Sequence, residues 1–212
     1  MKCKICNTQS TNFEDTELKK RFYHCSHCEL IFLDKKFYVT NNDEKNQYDN
    51  HNNSLENEGY VKMFNDFLDY TLEGLHVKSA LDFGSGPTPV LAELLKRRDI
   101  HVEHFDKFYQ PKKIYENKKY DLITSTEVFE HLQNPKEVLT MLSKRLNING
   151  TISLMTLFHT DKKDDFLKWW YRRDPTHITF FTPKSISFMA KECGLQVLKH
   201  DNKRVIVLKK IQ

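Results

Sequence analysis

The sequence predicts an α/β fold preceded by a small cysteine-bound module. Three observations predict it. From Ser79 onward, strand-like and helix-like segments alternate, the pattern of a parallel sheet flanked by helices. One of those strands, Ser79 to Phe83, runs into the glycine turn Gly84-Ser85-Gly86. Far upstream, Cys3-x-x-Cys6 and Cys25-x-x-Cys28 set out four thiols in two pairs.

The chain has 212 residues, enough for one ordinary domain and a small appendage. Hydrophobic residues make up 39% and aromatics 12%, so a substantial core can form. The net charge of +4 is modest, and lysines are scattered among acids. Such a surface reads as solvated rather than as a basic face for nucleic acid. No stretch approaches the roughly 18 apolar residues of a membrane helix. Met1-Lys2-Cys3-Lys4 shows no apolar core of a signal peptide. Paired cysteines without an export signal favour metal over disulfides, and a reducing, cytoplasmic setting is expected.

Residues 1–40 are expected to form a zinc ribbon. The two CxxC pairs are eighteen residues apart. Each CxxC turn points two thiolates at one ion, and two turns close a tetrahedron. Cys3, Cys6, Cys25 and Cys28 are therefore the expected ligands of one structural zinc ion. His24 and His27 flank the second pair, but four thiolates already fill a site. Leu30-Ile31-Phe32-Leu33 would supply the ribbon's apolar face. The plain alternative is four unrelated free cysteines.

Residues 41–57 hold seven asparagines and cannot bury a core by themselves. They read as a linker in preference to a lid, the lid reading placing Tyr48, His51 and Asn52 over a ligand site. Residues 58–212 make up the main domain. Between Ser54 and Leu75, Tyr60, Phe64, Phe67, Leu68 and Leu72 recur at helical spacing. The strand Ser79 to Phe83 follows. Pro87 suits a first helical turn, and Val90, Leu91, Leu94 and Leu95 give that helix a buried face. His101 to Phe105 is a second strand, ending at Asp106. Tyr120 to Thr124 is a third. Asn134-Pro135 opens a helix carrying Val138, Leu139, Leu142 and Leu146, with a stop expected at Asn149-Gly150. Thr151 to Leu157 is a strand, and Pro183 to Cys193 a helix closed by Gly194. Leu195 to His200 and Arg204 to Lys209 form a hairpin. Cys193 reads as a packed core thiol.

The glycine turn carries the chemistry. It presents backbone N–H groups at the carboxyl end of a strand, where open α/β sheets bind ligands. Asp106 ends the next strand 20 residues after Gly86, where a carboxylate can accept both hydroxyls of a ribose. A dinucleotide fingerprint needs a third glycine at position 89, and Pro89 stands there, which argues against NAD. Asp82, ahead of the glycines, suits a cofactor with a positive or amino-bearing head group.

Asp82-Phe83-Gly84-Ser85-Gly86, Asp106, the run Tyr120 to His131 with its Glu127-x-x-Glu130-His131, and Gly150 before Thr151–Leu157 resemble the class I S-adenosylmethionine-dependent methyltransferases. The resemblance covers about residues 55–212 and implies a Rossmann-like sheet. It implies that Gly84, Ser85 and Gly86 contact the methionine moiety and that Asp106 holds the ribose. Asp82 joins this cofactor set, and Thr126 and Glu127 lie at the strand end beside the sulfonium. A zinc ribbon ahead of such a domain resembles a recurrent bacterial arrangement. One departure stands out. Only fourteen residues separate Asp106 from Asp121. The family usually fits a helix, a strand and an adenine-contacting loop there, so one strand is expected to be missing. Phe108, Tyr109 and Pro111 are the apolar groups at hand for adenine.

On the acceptor side, Trp169-Trp170-Tyr171-Arg172-Arg173-Asp174-Pro175-Thr176-His177 follows a strand and in the family commonly lines the acceptor site. Aromatics capping a core and arginines facing water are the alternative. A similar Phe-Glu-His run in the related cyclopropane-type enzymes lies near the reacting methyl. Glu130, His131 and His177 are thus the candidate catalytic residues, any of them a base if the acceptor must lose a proton. The expected activity is methyl transfer to a small molecule. Few clustered arginines and the low net charge argue against the RNA methyltransferase alternative, and the intact glycine turn and acids against a non-catalytic binding module. Larger sugar C-methyltransferases also begin with paired CxxC knuckles but carry a further C-terminal domain, which leaves sugar chemistry open. The oligomeric state is not specified by these residues.

Overall fold

The structure is a computed structural model and describes residues 1–49 and 54–211. His51 and Asn52, named in the lid reading, lie outside the described residues. The N-terminal module is a hairpin, β1 (Thr11–Asp15) and β2 (Lys20–His24), extended by β3 (Ile31–Leu33). Leu30 to Leu33 are all buried. The segment read as a linker begins with a helix, α1 (Asn41–Asp49), and α2 (Glu58–Leu72) follows. Asn57 caps α2 by accepting the Tyr60 N–H at 3.1 Å.

The main sheet then assembles from β4 (Ser79–Phe83), β5 (His101–Phe105), β6 (Tyr120–Thr126), β7 (Leu146–Met155), β9 (Leu195–His200) and β10 (Val205–Lys210). Its order is β5-β4-β6-β7-β10-β9. The first four strands are mutually parallel, and β10 is antiparallel to both its neighbours. Among the described residues no helix or strand lies between Phe105 and Tyr120, so β5 is an edge and the expected strand is missing. Helices α3 (Val90–Lys96), α4 (Pro135–Ser143), α5 (Lys163–Lys168) and α6 (Pro183–Glu192) complete the set. Among the described residues no helix is long and apolar enough to cross a membrane.

Two local readings need correction. The helix after the glycine turn begins at Val90, not near Pro87. Prolines at 87 and 89 disfavour helical backbone in Gly86 and Thr88, so the turn stays open for three more residues. The helix α4 ends at Ser143 rather than at Asn149-Gly150, and Leu146 already pairs with Tyr120 in β7. Asn149 and Gly150 instead form an irregularity inside that strand. Asn149 is left-handed at φ 63°. A Cβ on Gly150 would lie 3.1 Å from the Tyr120 carbonyl, so glycine permits the strands to rejoin.

A second sheet has the order β1-β2-β3-β8, and β8 (Thr179–Phe180) comes from the connection between β7 and α6. The cysteine module thus shares a sheet with the wall of the main domain. An apolar cluster runs from Cys3, Cys28 and Leu30 through Phe181 and Ile186 to Leu154 and Ile206. A second packs Phe13, Phe22 and Ile31 on Phe166, Tyr171 and Phe180. Arg172, read as a candidate to face water, is 1% exposed and pairs with Asp15 at 2.8 Å and Glu17 at 2.6 Å. Arg173 does face water.

Candidate active site

A cleft of about 380 Å³ opens at the carboxyl ends of β4, β5 and β6. The sheet supplies Asp82, Asp106, Thr126 and Glu127, and the glycine turn supplies Gly84, Ser85 and Gly86. Gly84 (φ 90°) and Gly86 (φ 68°) sit in left-handed backbone. A Cβ on Gly84 would lie 2.2 Å from Val128 Cγ2, so no other residue fits there without displacement. The turn is tied to the next strand. Gly84 and Ser85 donate their N–H groups to the Phe105 carbonyl at 2.7 and 3.1 Å. Gly86 donates to Asp106 Oδ2 at 3.0 Å. The other oxygen of Asp106 accepts from the Phe108 and Tyr109 amides at 2.8 and 3.2 Å. Asp106 therefore organises the rim on both sides of itself.

Asp82 is 1% exposed and accepts from Thr124 Oγ1 at 3.1 Å. Burial, with the Asp106 charge adding to it, pushes its carboxyl up to about 7. Glu127 directly follows β6 in left-handed backbone at φ 52°, a strained conformation for a non-glycine residue. Its side chain lines the cleft. Phe108 and Tyr109 line the cleft near Asp106, while Pro111 is not among the lining residues.

The opposite wall is the segment 169–177. Trp170, Tyr171, Asp174 and His177 line the cleft there, together with His131. His177 is buried and Nδ1 bonds the Tyr171 carbonyl at 2.8 Å, yet it faces the same cavity as the glycine turn. His131 Nδ1 bonds the Thr176 carbonyl at 3.1 Å, and the two imidazole rings are 4.8 Å apart. Burial, with the neighbouring His177 adding to it, lowers His131 to about 3, so its ring is neutral. Glu130 is fully buried behind this wall and does not line the cleft. Tyr171 donates its hydroxyl to Glu130 Oε1 and lies 3.0 Å from Glu127 Oε2. Desolvation, helped by the Glu127 charge, raises the Glu130 carboxyl well above the usual carboxylate range.

Several lining residues escaped the sequence reading. Tyr60 and Phe64 looked like packing positions of α2, and Glu44 like part of a polar stretch. Tyr48 lines the cleft as well, which the lid reading had placed there. The signal available was the pairing of helical spacing with aromatics, and it does not separate a core face from a cleft face.

The four N-terminal cysteines also converge. Cys3 and Cys28 sulfurs are 3.5 Å apart, Cys6 and Cys25 sulfurs 3.4 Å, and all four lie within 4.8 Å of one another. Thiolates around one tetrahedral zinc at about 2.3 Å stand roughly 3.8 Å apart. His24 bonds Asp161 at 2.7 Å instead of joining them.

Residues 48–200 match the family described as a methyltransferase domain. The chain belongs to this methyltransferase family. The methyltransferase sheet is also what solved structures share with it. An O-methyltransferase family protein from Burkholderia thailandensis superposes with a TM-score of 0.57 at 14% identity, over 80% of this chain and 63% of that one. The mitomycin 7-O-methyltransferase MmcR gives 0.54 at 9% identity, over 72% and 55%. The N-methyltransferase NodS from Bradyrhizobium japonicum WM9, solved with S-adenosyl-L-homocysteine, gives 0.52 at 11% identity, over 80% and 98%. The methyltransferase chain thus spans less than two thirds of the first two and nearly all of the third. No curated protein sequence matches it.

Proposed function

We propose that the chain transfers a methyl group from S-adenosylmethionine to a small-molecule acceptor held in the cleft. The observation that carries this reading is that one cleft joins the glycine turn to the His131–His177 wall. The cofactor brings an activated sulfonium methyl, and the chain's residues do the rest. Gly84 and Gly86 keep the turn clear of side chains. Asp82 faces the cationic end, Asp106 the ribose, and Phe108 with Tyr109 offer aromatic surface to adenine. The wall aligns the acceptor and keeps out water. Carboxyl side chains outnumber lysines and arginines here: Glu44, Asp82, Asp106, Glu127 and Asp174 line the cleft against Lys107. Such a lining suits a sulfonium cation and opposes a phosphodiester backbone, which favours a small acceptor over RNA.

The cysteine cluster is read as a structural zinc site. Four thiolates leave no open position for chemistry.

Calorimetry with S-adenosyl-L-homocysteine tests the cofactor assignment. Asp106→Ala removes charged hydrogen bonds worth roughly 1.5–3 kcal/mol each and should weaken binding at least about tenfold. Gly86→Val should block it. Unchanged affinity in both variants overturns the reading.

A further inference from the structure

We propose that Glu130, His131 and His177 form a binding site for one divalent transition-metal ion in the acceptor wall, and that the acceptor reaches it through an oxygen atom. This rests on the methyl-transfer reading and specifies its acceptor side. One ligand atom from each of the three residues lies within 4.8 Å of the others. They come from two separate stretches of chain, the turn after β6 and the segment before β8, so helical proximity alone does not explain their meeting.

The hydrogen bonds around them favour a metal. His131 Nδ1 meets the Thr176 carbonyl and His177 Nδ1 meets the Tyr171 carbonyl. A carbonyl only accepts, so each imidazole donates from Nδ1, which in the neutral ring puts the lone pair on Nε2. That is the tautomer arrangement of metal-bound histidines, whose second nitrogen is held by an outer acceptor. The Asp174 carboxylate stands 3.9 Å from Nε2 of His177. Glu130 Oε1 accepts from Tyr171, while Oε2 is buried with no hydrogen-bond partner among the described residues and beside the Glu127 carboxyl. A buried carboxylate oxygen without a partner is costly, and a cation would satisfy it. The backbone locks the pair of segments together, since Ile178 donates its N–H to the Glu130 carbonyl at 2.8 Å.

Two imidazoles and a carboxylate suit Zn²⁺, Mn²⁺ or Co²⁺ and leave coordination positions open. His131 and His177 line the cleft, so those positions face the acceptor. A hydroxyl bound there loses its proton to solvent more readily. Its oxygen lone pair then forms the O–CH₃ bond as the S–CH₃ bond breaks. Both electrons of the broken bond remain on sulfur, which passes from sulfonium to neutral thioether.

Full-length protein with its four-cysteine site zinc-loaded would be titrated with Mn²⁺, a probe that thiolates bind poorly, and free Mn²⁺ read by electron paramagnetic resonance. The expected result is one Mn²⁺ per chain, with affinity reduced about tenfold or more in Glu130→Gln and in His177→Gln. S-adenosyl-L-homocysteine affinity, measured on the same samples, should change little, and it also shows that each variant is folded. Absence of Mn²⁺ binding, repeated with Co²⁺, overturns the metal site while cofactor binding leaves the methyltransferase reading standing. Mn²⁺ affinity in both variants equal to the parent's also overturns it. Loss of cofactor binding by the parent protein would instead count against the methyl-transfer reading.

Discussion

Ile31 of the cysteine module and Phe180 of the cleft wall are paired residues of one antiparallel ladder. Three residues before Phe180 lies His177, and the hydrogen bonds of its segment run directly into the module: Leu33 donates its N–H to the Ile178 carbonyl at 3.0 Å. The cysteine module is therefore joined to the cleft wall through paired backbone. Asp15 and Arg172 add a second tie between the same two parts.

Under the proposed zinc reading, stripping metal from the four cysteines should disturb the acceptor wall more than the cofactor end. Structural zinc in small modules carries about 10–16 kcal/mol of apparent binding energy at neutral pH, and β8 has no other sheet partner among the described residues. With Cys3→Ser, hydrogen exchange at Thr179 and Phe180 should accelerate and methyl transfer fall at least about tenfold. S-adenosyl-L-homocysteine affinity, set at β4 and β5, should stay within a few-fold. Undiminished protection of β8 in zinc-free protein would refute this coupling.

Arg172→Leu should be among the most damaging substitutions away from the cleft. The guanidinium is 1% exposed beside the equally buried Asp15, close at 2.8 Å but poorly aligned as a hydrogen bond. Removing one member leaves a buried charge uncompensated, at a cost of about 3–5 kcal/mol. Adding Asp15→Asn should recover part of the loss, because Oδ1 of that residue still accepts from the Glu17 and Leu18 amides. Denaturant unfolding of the two single variants and the double variant measures the coupling. Strict additivity would show that the pair contributes little.

The sheet and its ligand end were legible because they are local. A strand entering Gly84-Ser85-Gly86 and an acid closing the next strand are short-range patterns, and the fourteen-residue gap after Asp106 reported the missing strand directly. The β3–β8 pairing was not legible. It joins residues about 150 apart, and Thr179–Phe180 is too short to carry an alternation of its own. Arg172 was hidden for a similar reason: its neighbours Trp170 and Arg173 are exposed, so composition alone suggested a solvated loop. Tyr171, which links Glu127 and Glu130, looked like one aromatic among several.

Gly84→Ala should cripple cofactor binding without needing to remove any polar group. The new Cβ would stand 2.2 Å from Val128 Cγ2 and would be held at φ 90°, where L residues are strained. Both effects push the turn away from Glu127 and the β6 end. Calorimetry should show affinity for S-adenosyl-L-homocysteine falling well over tenfold. Val128→Ala added to Gly84→Ala relieves the clash but not the backbone strain, so it should restore only part of it. Full recovery would place the whole effect in the clash.

Asp82 makes the apo fold and the cofactor site oppose each other in pH. Its carboxyl is raised from 3.8 to about 7 by burial. A folded-state pKa above the unfolded one favours the protonated native form. That contribution is complete below about pH 4. It declines as pH rises and is lost once pH passes the folded value near 7. Asp82→Asn keeps the shape and cannot ionise. Relative to the parent, the variant's apo stability should therefore rise between about pH 4 and 7 and level off above, by up to about 4 kcal/mol at ~1.36 kcal/mol per unit. Cofactor binding should run the other way. A cationic ligand favours the carboxylate, so parent affinity should climb through pH 7 while the variant's stays flat and weaker. Unfolding at pH 5 and pH 8, paired with calorimetry at the same values, tests both halves. A stability difference independent of pH would mean that Asp82 ionises normally in the folded chain.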